Sequence, residues 1–314
     1  MISSDEVYES DSEGGAKGVI RCDTFDLNAL PQDCIAAVLS FTSPRAACRL
    51  SVVSTVFKSA ANSDAVWERF LPSDYQAMIP SSLCFSSKKE LYFRLCDNPI
   101  LIDGGRKSFS LERGSGKKCY MLSARELSIV WSDTPTYWRW GSTPESRFEE
   151  VAELLNVCWL EIHGKISVSL LSPMTQYKAY IVFKATTGAY GFEFQAVIVS
   201  VGLVGAEGSE RSVYLDAERG RRQRQFVPRR IGLWNRSRFF GLQTAVRTTQ
   251  ATDDQYPKVR LDGWLEIELG EFFNEGCVDG ELEMSVLEVK GGHWKGGIVI
   301  QGIEIRPNVC SSGS

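Results

Sequence analysis

The stretch from Leu30 to Leu71 has the sequence LPQDCIAAVLSFTSPRAACRLSVVSTVFKSAANSDAVWERFL, and it decides the fold of the amino-terminal part of the chain. Pro31 suits the first turn of a helix, where its missing N–H costs no hydrogen bond. Ile35, Val38 and Leu39 follow with the i, i+3, i+4 spacing of one apolar stripe. The pattern therefore predicts a short first helix.

Further start signals predict more short helices in the same stretch. Ser43 precedes Pro44 and is a suitable N-cap, and Asp64 is positioned to cap a last helix. The apolar residues of these helices are Val53, Val56, Phe57, Trp67 and Phe70. A bundle this small cannot hide all its apolar side chains, so the excess must face a partner or the rest of the chain. We interpret the stretch as a docking module.

This stretch resembles the F-box. The resemblance is carried by the Leu30-Pro31 start, the stripe of the first helix, Arg49-Leu50, the block from Val53 to Phe57, and Trp67. In that family the segment binds the Skp adaptor of SCF ubiquitin ligases, and the adaptor binds a cullin scaffold. The resemblance implies the adaptor-binding residues Leu30, Pro31, Ile35, Val38, Leu39, Leu50, Val53, Phe57 and Trp67. The alternative is an ordinary helical subdomain packed on its neighbour.

The bulk properties are those of an ordinary globular protein. The chain has 314 residues, a formal net charge of −4 and a pI near 5.5, which argues against general binding to nucleic acid or a membrane surface. No apolar run approaches the ~20 residues needed to cross a bilayer. The nine cysteines form no CxxC pair, and the first thirty residues lack the basic and apolar regions of a signal peptide, so we expect reduced thiols.

Changes in composition along the chain divide it into five predicted parts. They are an acidic, disordered tail at 1–24, the docking module at 25–74, a connector at 75–118, a strand-rich domain at 119–308, and a short tail at 309–314. Within the connector, Ser87 to Cys96 is predicted as one helix and Asn98 to Gly116 as turns. We therefore expect a two-domain α+β chain, with a small all-α bundle before an all-β sandwich of jelly-roll type.

The strand-rich domain shows the period-2 alternation of half-buried strands. In one strand Leu160 and Ile162 face one way, and Trp159, Glu161 and His163 face the other. Many short segments of this kind, separated by Gly and Asp turns, predict antiparallel sheets.

No catalytic motif is recognisable in this sequence. The two histidines, His163 and His293, are tied to no nucleophile, and there is no HExxH, P-loop or paired cysteine spacing. We therefore expect a non-enzymatic binding protein with no cofactor and no metal.

The densest aromatic group lies between Trp131 and Trp140, with Tyr137 and Trp138 between them. Indole faces stack on the apolar C–H faces of sugar rings and bury large areas at low entropic cost. Tryptophans of a β-sandwich are more often core residues, and on the residues alone that interpretation is the stronger one.

From Cys119 onward the chain resembles the phloem protein 2 domain, the family of the tobacco lectin Nictaba. The matching segments are Ala124–Trp140, Phe148–Ile166, Tyr177–Lys184, Leu261–Phe273, Gly280–Met284 and Lys295–Asn308. The resemblance implies binding of chitin oligomers, N-glycan cores or N-acetyllactosamine-type glycans. It implies Trp131, Trp138, Glu281 and Glu288 as the carbohydrate-binding residues. Glu281 and Glu288 have opposite strand parity, so both reach one sugar only across a bulge or turn.

A basic segment from Glu218 to Arg230 interrupts the strand pattern. Its arginines are Arg219, Arg221, Arg222, Arg224, Arg229 and Arg230. They favour equally a nuclear-import signal and a solvated inter-strand loop. The tobacco lectin carries an import signal near this position, so the resemblance implies location in the cytoplasm and nucleus.

Three hypotheses follow. The first is the substrate-recognition subunit of an SCF-type ubiquitin ligase, whose sandwich binds glycans or glycoproteins while other subunits carry out the ubiquitin chemistry. The second is a stress-linked lectin that acts outside a ligase. The third is a ligase receptor whose sandwich recognises a protein surface, with the tryptophans in the core.

Overall fold

The computed structural model describes residues 30–79, 84–193, 195–206, 208–216, 255–276 and 279–308. The predicted tails at 1–24 and 309–314 and the arginines from Arg219 to Arg230 lie outside these ranges. Six α-helices come first: α1 Gln32–Ser40, α2 Pro44–Leu50, α3 Thr55–Ala61, α4 Asp64–Phe70, α5 Tyr75–Met78 and α6 Lys88–Asp97. We refer to these six helices as the helical module.

Serine caps explain where several of these helices begin. The Ser43 Oγ accepts a hydrogen bond from the Ala46 N–H at 3.2 Å, which confirms the predicted cap of α2. The prediction for Asp64 was wrong, because Ser63 occupies the N-cap position and Asp64 is the first helical residue. The Asp64 carboxylate instead accepts from the Lys88 N–H at 2.7 Å, so it joins α4 to the start of α6.

The core of the helical module is built around Trp67. Its indole is fully buried and its Nε1–H donates to the Ala61 carbonyl at 2.7 Å. The Tyr92 ring of α6 packs 5.1 Å from the Trp67 ring, centroid to centroid. Ile35 and Leu39 of the predicted stripe of α1 are buried in the same core, whereas Val38, predicted in that stripe, is exposed.

The described residues after α6 form two antiparallel sheets. The strands are β1 Ile100–Ile102, β2 Lys107–Leu111, β3 Lys118–Ser123, β4 Ser128–Ile129, β5 Trp138–Gly141, β6 Val151–Leu154, β7 Leu160–Ser167, β8 Thr175–Tyr190, β9 Val197–Leu203, β10 Ser209–Val213, β11 Lys258–Val259, β12 Leu265–Asn274, β13 Glu281–Glu288 and β14 Gly296–Pro307. Among the described residues, one sheet has nine strands in the order β1-β2-β3-β14-β8-β12-β11, with β6 also on β14 and β5 on β6. The other has five, in the order β10-β9-β13-β7-β4.

The two sheets pack face to face. A Cβ added at Gly164 of β7 would lie 3.0–3.3 Å from side-chain atoms of Leu127, Ile303 and Leu122. Leu122 belongs to β3 and Ile303 to β14, so the inner face of the smaller sheet directly contacts the larger one. This arrangement confirms the predicted fold class, a helical bundle followed by a β-sandwich.

Strands begin earlier than the sequence predicts, at Ile100 rather than Cys119. The predicted connector at 75–118 therefore contributes α5, α6, β1 and β2. The turn between β2 and β3 enters the helical module, where the Tyr92 hydroxyl donates to the carbonyls of Glu112 and Arg113 at 3.1 Å each. The Arg45 N–H also donates to the Gly114 carbonyl, at 3.3 Å. One continuous hydrophobic core thus joins the helical module to the sandwich.

A buried carboxylate on β14 lies among arginines. Glu304 is buried, and its oxygens lie 2.6 Å from Arg260 Nη1, 3.0 Å from Arg306 Nη1 and 3.3 Å from Arg147 Nη1. Burial alone would raise the pKa of Glu304, but Arg260 first, then Arg147 and Arg306, lower it to about 2. Folding therefore favours the charged form of this side chain.

We expect Glu304→Gln to cost about 3 kcal/mol of unfolding free energy at pH 7, because it leaves three partly buried guanidinium groups without the carboxylate that they share. The carboxylate stabilises the fold above its ordinary pKa, and that contribution is lost as the pH falls to about 2. The difference between wild type and variant in urea denaturation should therefore shrink between about pH 4.5 and pH 2. The exposed Glu145→Gln is the control, and an equal loss in both variants would contradict the assignment.

Candidate functional site

The exposed ring of the tryptophan cluster is Trp131. It follows β4 with φ +60°, a left-handed backbone conformation that is uncommon for a residue with a large side chain. Its indole is 43% exposed and lies 5.2 Å from the ring of Tyr137, centroid to centroid. A strained backbone that presents a large aromatic face to solvent is a feature typical of binding sites.

Trp138 and Trp140 hold the loop that carries Trp131. The Trp138 Nε1–H donates to the Val130 carbonyl at 3.1 Å, and the Trp140 Nε1–H donates to the Ser132 carbonyl at 2.9 Å. Trp138 is only 2% exposed, so its ring face is unavailable for stacking in this conformation. Of the two predicted sugar-stacking tryptophans, the structure exposes Trp131 and places Trp138 beneath it.

The structure does not bring Glu281 and Glu288 together. They lie at opposite ends of β13, about 23 Å apart at the usual rise of a strand, and no bulge interrupts that strand's pairing with β7. Glu281 is exposed, whereas Glu288 is buried on the inner face. The two carboxylates therefore do not share one sugar site, because residues of opposite strand parity point to opposite faces of the sheet.

Glu288 instead supports a loop. Its carboxylate forms an ion pair with the fully buried ammonium group of Lys295 and accepts from the Gly291 N–H at 3.0 Å. The Lys295 Nζ also donates to the Cys158 carbonyl at 3.2 Å. Because Lys295 is adjacent to Trp294, the buried pair fixes the loop that presents the Trp294 ring.

Three further aromatic side chains are exposed near Trp131. The sheet register places them together, since the Val130 N–H donates to the Glu161 carbonyl and Val157 pairs with Lys295. Trp159 lies between those two positions, and Tyr190 pairs with Gly296. We call this surface the aromatic end of the sandwich; its members are Trp131, Trp159, Tyr190 and Trp294.

The sequence contained partial signals for these additional residues. Alternation placed Trp159 on the outer face of its strand, and that prediction is confirmed, since the ring is 42% exposed. Trp294 lies between two glycine pairs, and the chain needs a glycine beside it: a Cβ added at Gly191 would lie 2.4 Å from the Trp294 carbonyl oxygen. The sequence did not show that strand pairing brings these rings to one end.

The aromatic end combines apolar ring faces with a hydrogen-bond acceptor. The Trp159 Nε1–H donates to Glu161 at 2.7 Å, and the second Glu161 oxygen lies 3.0 Å from His163 Nε2. These two hydrogen bonds, that from Trp159 first, lower the pKa of Glu161, which keeps it an anionic acceptor at neutral pH. Flat rings beside a carboxylate suit a ligand with an apolar face and a rim of hydroxyls.

A second candidate surface lies on the helical module. Of the predicted adaptor-binding residues, Pro31, Val38 and Val53 are exposed, the two valines by 56% and 64%. Leu30 and Leu50 are half-buried. Ile35, Leu39, Phe57 and Trp67 are buried.

The four buried residues therefore shape the surface from beneath instead of contacting a partner in this conformation. Sequence reasoning missed Phe41 and Val52, which are also exposed. We call the exposed group of Pro31, Val38, Val52 and Val53 the valine patch.

Comparison with known proteins follows the same division of the chain. Residues 117–307 match the family model described as Phloem protein 2, and residues 27–73 match the one described as F-box-like. This chain belongs to the phloem protein 2 family of F-box proteins. It is an F-box protein with a lectin-like domain.

Its relatives include several plant F-box proteins. The chain is similar to F-box protein PP2-B10 of Arabidopsis thaliana, with 47% identity over 295 residues that cover 93% of this chain and 98% of the relative. Putative F-box protein PP2-B12 of the same plant is 50% identical over 279 residues, covering 88% and 96% respectively. A solved xylan-binding domain from Paenibacillus barcinonensis Xyn10C has a TM-score of 0.26 and 11% identity, covering 60% of this chain and 90% of that one. So low a score carries no conclusion.

The described residues of this F-box protein contain neither a candidate metal site nor a candidate membrane-spanning helix. Within the described ranges, no group of three His, Cys, Asp or Glu side chains could hold a metal ion. In the same ranges no helix is both long and apolar enough to span a membrane.

The different positions of Trp131 and Trp138 in this F-box protein predict different effects on stability. Trp138→Ala should cost about 3–5 kcal/mol, because it removes a large buried side chain, whereas Trp131→Ala should change stability by about 1 kcal/mol or less. Urea denaturation of both variants measures the difference. Equal losses would show that Trp131 is also a core residue.

Proposed function

We propose that this F-box protein is the substrate-recognition subunit of an SCF-type ubiquitin ligase. The observation that supports the proposal is an F-box module that keeps an apolar patch exposed while it is packed against a lectin-like sandwich. Exposed apolar side chains on so small a module are candidates for a protein interaction site. The Skp-family adaptor would bind at the valine patch, and catalysis would occur on other subunits.

The ligand of the sandwich, in this proposal, is a glycan or glycoprotein bound at the aromatic end. Trp131, Trp159 and Trp294 supply ring faces for stacking, and Glu161 supplies an anionic acceptor for hydroxyl groups. The surrounding contacts hold these groups in place before any ligand arrives. Trp138 and Glu288 act as positioning residues beneath the surface.

The shared core of the two parts also supports a receptor role. The turn between β2 and β3 is hydrogen-bonded to Tyr92 of the helical module, and the Lys118 ammonium group pairs with Asp74 at 2.9 Å. A ligand at the aromatic end would therefore be held in a fixed orientation to a bound adaptor. Such an orientation suits transfer of ubiquitin to one side of a substrate.

Adaptor binding can be tested with a charge placed in the valine patch. The double substitution Val38→Glu and Val53→Glu should weaken binding of a purified plant Skp adaptor at least tenfold, because two carboxylates would be desolvated in an apolar interface. Isothermal titration calorimetry with the full chain measures the affinity. Val259→Glu, which changes an exposed valine on β11 of the sandwich, is the matched control. Unchanged adaptor affinity in the double variant would overturn the proposed docking surface.

Glycan binding can be tested on an array with the full chain, since removing residues before 117 would delete β1 and β2. We expect selective binding that falls at least tenfold in Trp131→Ala, because the stacking face is lost. Phe273→Ala, which removes an exposed ring on β12, should bind as wild type. An array with no selective binding by a folded wild-type chain would contradict glycan recognition. It would then favour recognition of a protein surface.

A further inference from the structure

The outer face of the five-stranded sheet carries a continuous polar row. Along β7 the outward residues after Trp159 are Glu161, His163 and Lys165, and along β13 they are Glu281, Glu283, Ser285 and Leu287. The register pairs His163 with Ser285 and Lys165 with Glu283. On the next strand Ser200 of β9 pairs with Ser285. The row therefore runs from the aromatic end toward the opposite end of the sheet.

Hydrogen bonds and close polar contacts connect the row to Trp159. The Glu161 carboxylate bridges the Trp159 indole and the His163 ring. On the other side of that ring, His163 Nδ1 lies 3.5 Å from Glu283 Oε1. Within the described residues, Nδ1 is buried and makes no hydrogen bond. The imidazole therefore retains a polar atom with no hydrogen-bond partner.

A small cavity opens beside His163. Its volume is about 190 Å³, and its polar lining comes from His163, Ser200, Glu283 and Ser285. The hydroxyls of Ser200 and Ser285 lie 2.6 Å apart. One wall is formed where two backbones approach closely, since a Cβ added at Gly202 would lie 2.7 Å from the Gly208 Cα. A larger residue at Gly202 would push this wall outward.

The chemistry of the cavity favours a neutral ligand with several hydroxyl groups. It offers a carboxylate, two hydroxyls and an imidazole nitrogen, all able to accept a hydrogen bond from a hydroxyl. An anion would face Glu283 and Glu161, which disfavours phosphate or sulfate. The cavity is large enough for one sugar ring, and His163 lies about 13 Å along the strand from Trp159. That separation is longer than a disaccharide.

We propose that this cavity is a second saccharide subsite, which extends the aromatic end along β7. The inference rests on the proposed glycan recognition. The stacked end of the ligand lies on Trp159, and a ring further along its chain occupies the cavity lined by His163, Ser200 and Ser285.

Ligand length is the variable that tests the subsite. The full chain is titrated by calorimetry with N,N′-diacetylchitobiose and chitohexaose, and with the di- and hexasaccharide of N-acetyllactosamine. For the series that binds, the wild type should bind the hexasaccharide at least tenfold more tightly than the disaccharide. Glu283→Gln and the cavity-filling Ser285→Leu should reduce that ratio to about twofold or less, with the disaccharide affinity unchanged.

Matched controls separate the possible outcomes. Glu149→Gln, at an exposed position outside the sheet, should keep the wild-type ratio, and circular dichroism checks that both cavity variants fold. If Ser285→Leu does not fold, Glu283→Gln decides the result, because it is nearly isosteric. A full length-dependent gain in a folded Glu283→Gln protein would overturn the subsite and leave glycan recognition standing. Binding of neither series by the wild type would overturn both.

Discussion

The structure depends on the hydroxyl of Tyr92. Its ring is buried against Trp67 in the helical module, and its hydroxyl donates to two carbonyls in the turn between β2 and β3. Its one O–H hydrogen is shared between the carbonyls of Glu112 and Arg113, and its ring fills the core of the helical module. The helices and the sandwich are therefore packed as one body.

Two buried charged groups play different parts in the sandwich. Glu304 is surrounded by arginines on the larger sheet and serves stability. The pair of Glu288 and Lys295 lies under the loop of Trp294, and breaking such a pair is costly because one charge would remain buried alone. The carboxylate that matches a sugar-site position of the family thus supports the Trp294 loop from inside the sandwich.

Local patterns predicted most of the elements. The spacing of Ile35 and Leu39 gave the buried stripe of α1, and the alternation around Leu160 gave the two faces of β7. The resemblance supplied Trp131. The sequence could not distinguish Trp131 from Trp138, because burial depends on which strand covers each ring.

Local sequence patterns also could not predict which strands pair. Trp159 and Trp294 are 135 residues apart in the chain, and the bridge of Val157 with Lys295 brings their segments to the same end of the sandwich. The early strands β1 and β2 were missed because their short apolar runs lie among turn residues. Pairing with β3 decides the place of β2 in the sheet, and pairing with β2 decides that of β1.

The left-handed backbone at Trp131 has a consequence for selectivity. Holding a non-glycine residue there costs about 1–2 kcal/mol, and the two indole N–H bonds from Trp138 and Trp140 keep the loop in place. The conformational entropy that a flexible loop would lose on association has already been lost during folding. Such a preorganised surface adapts little to its ligand, so discrimination must come from the ligand's own shape.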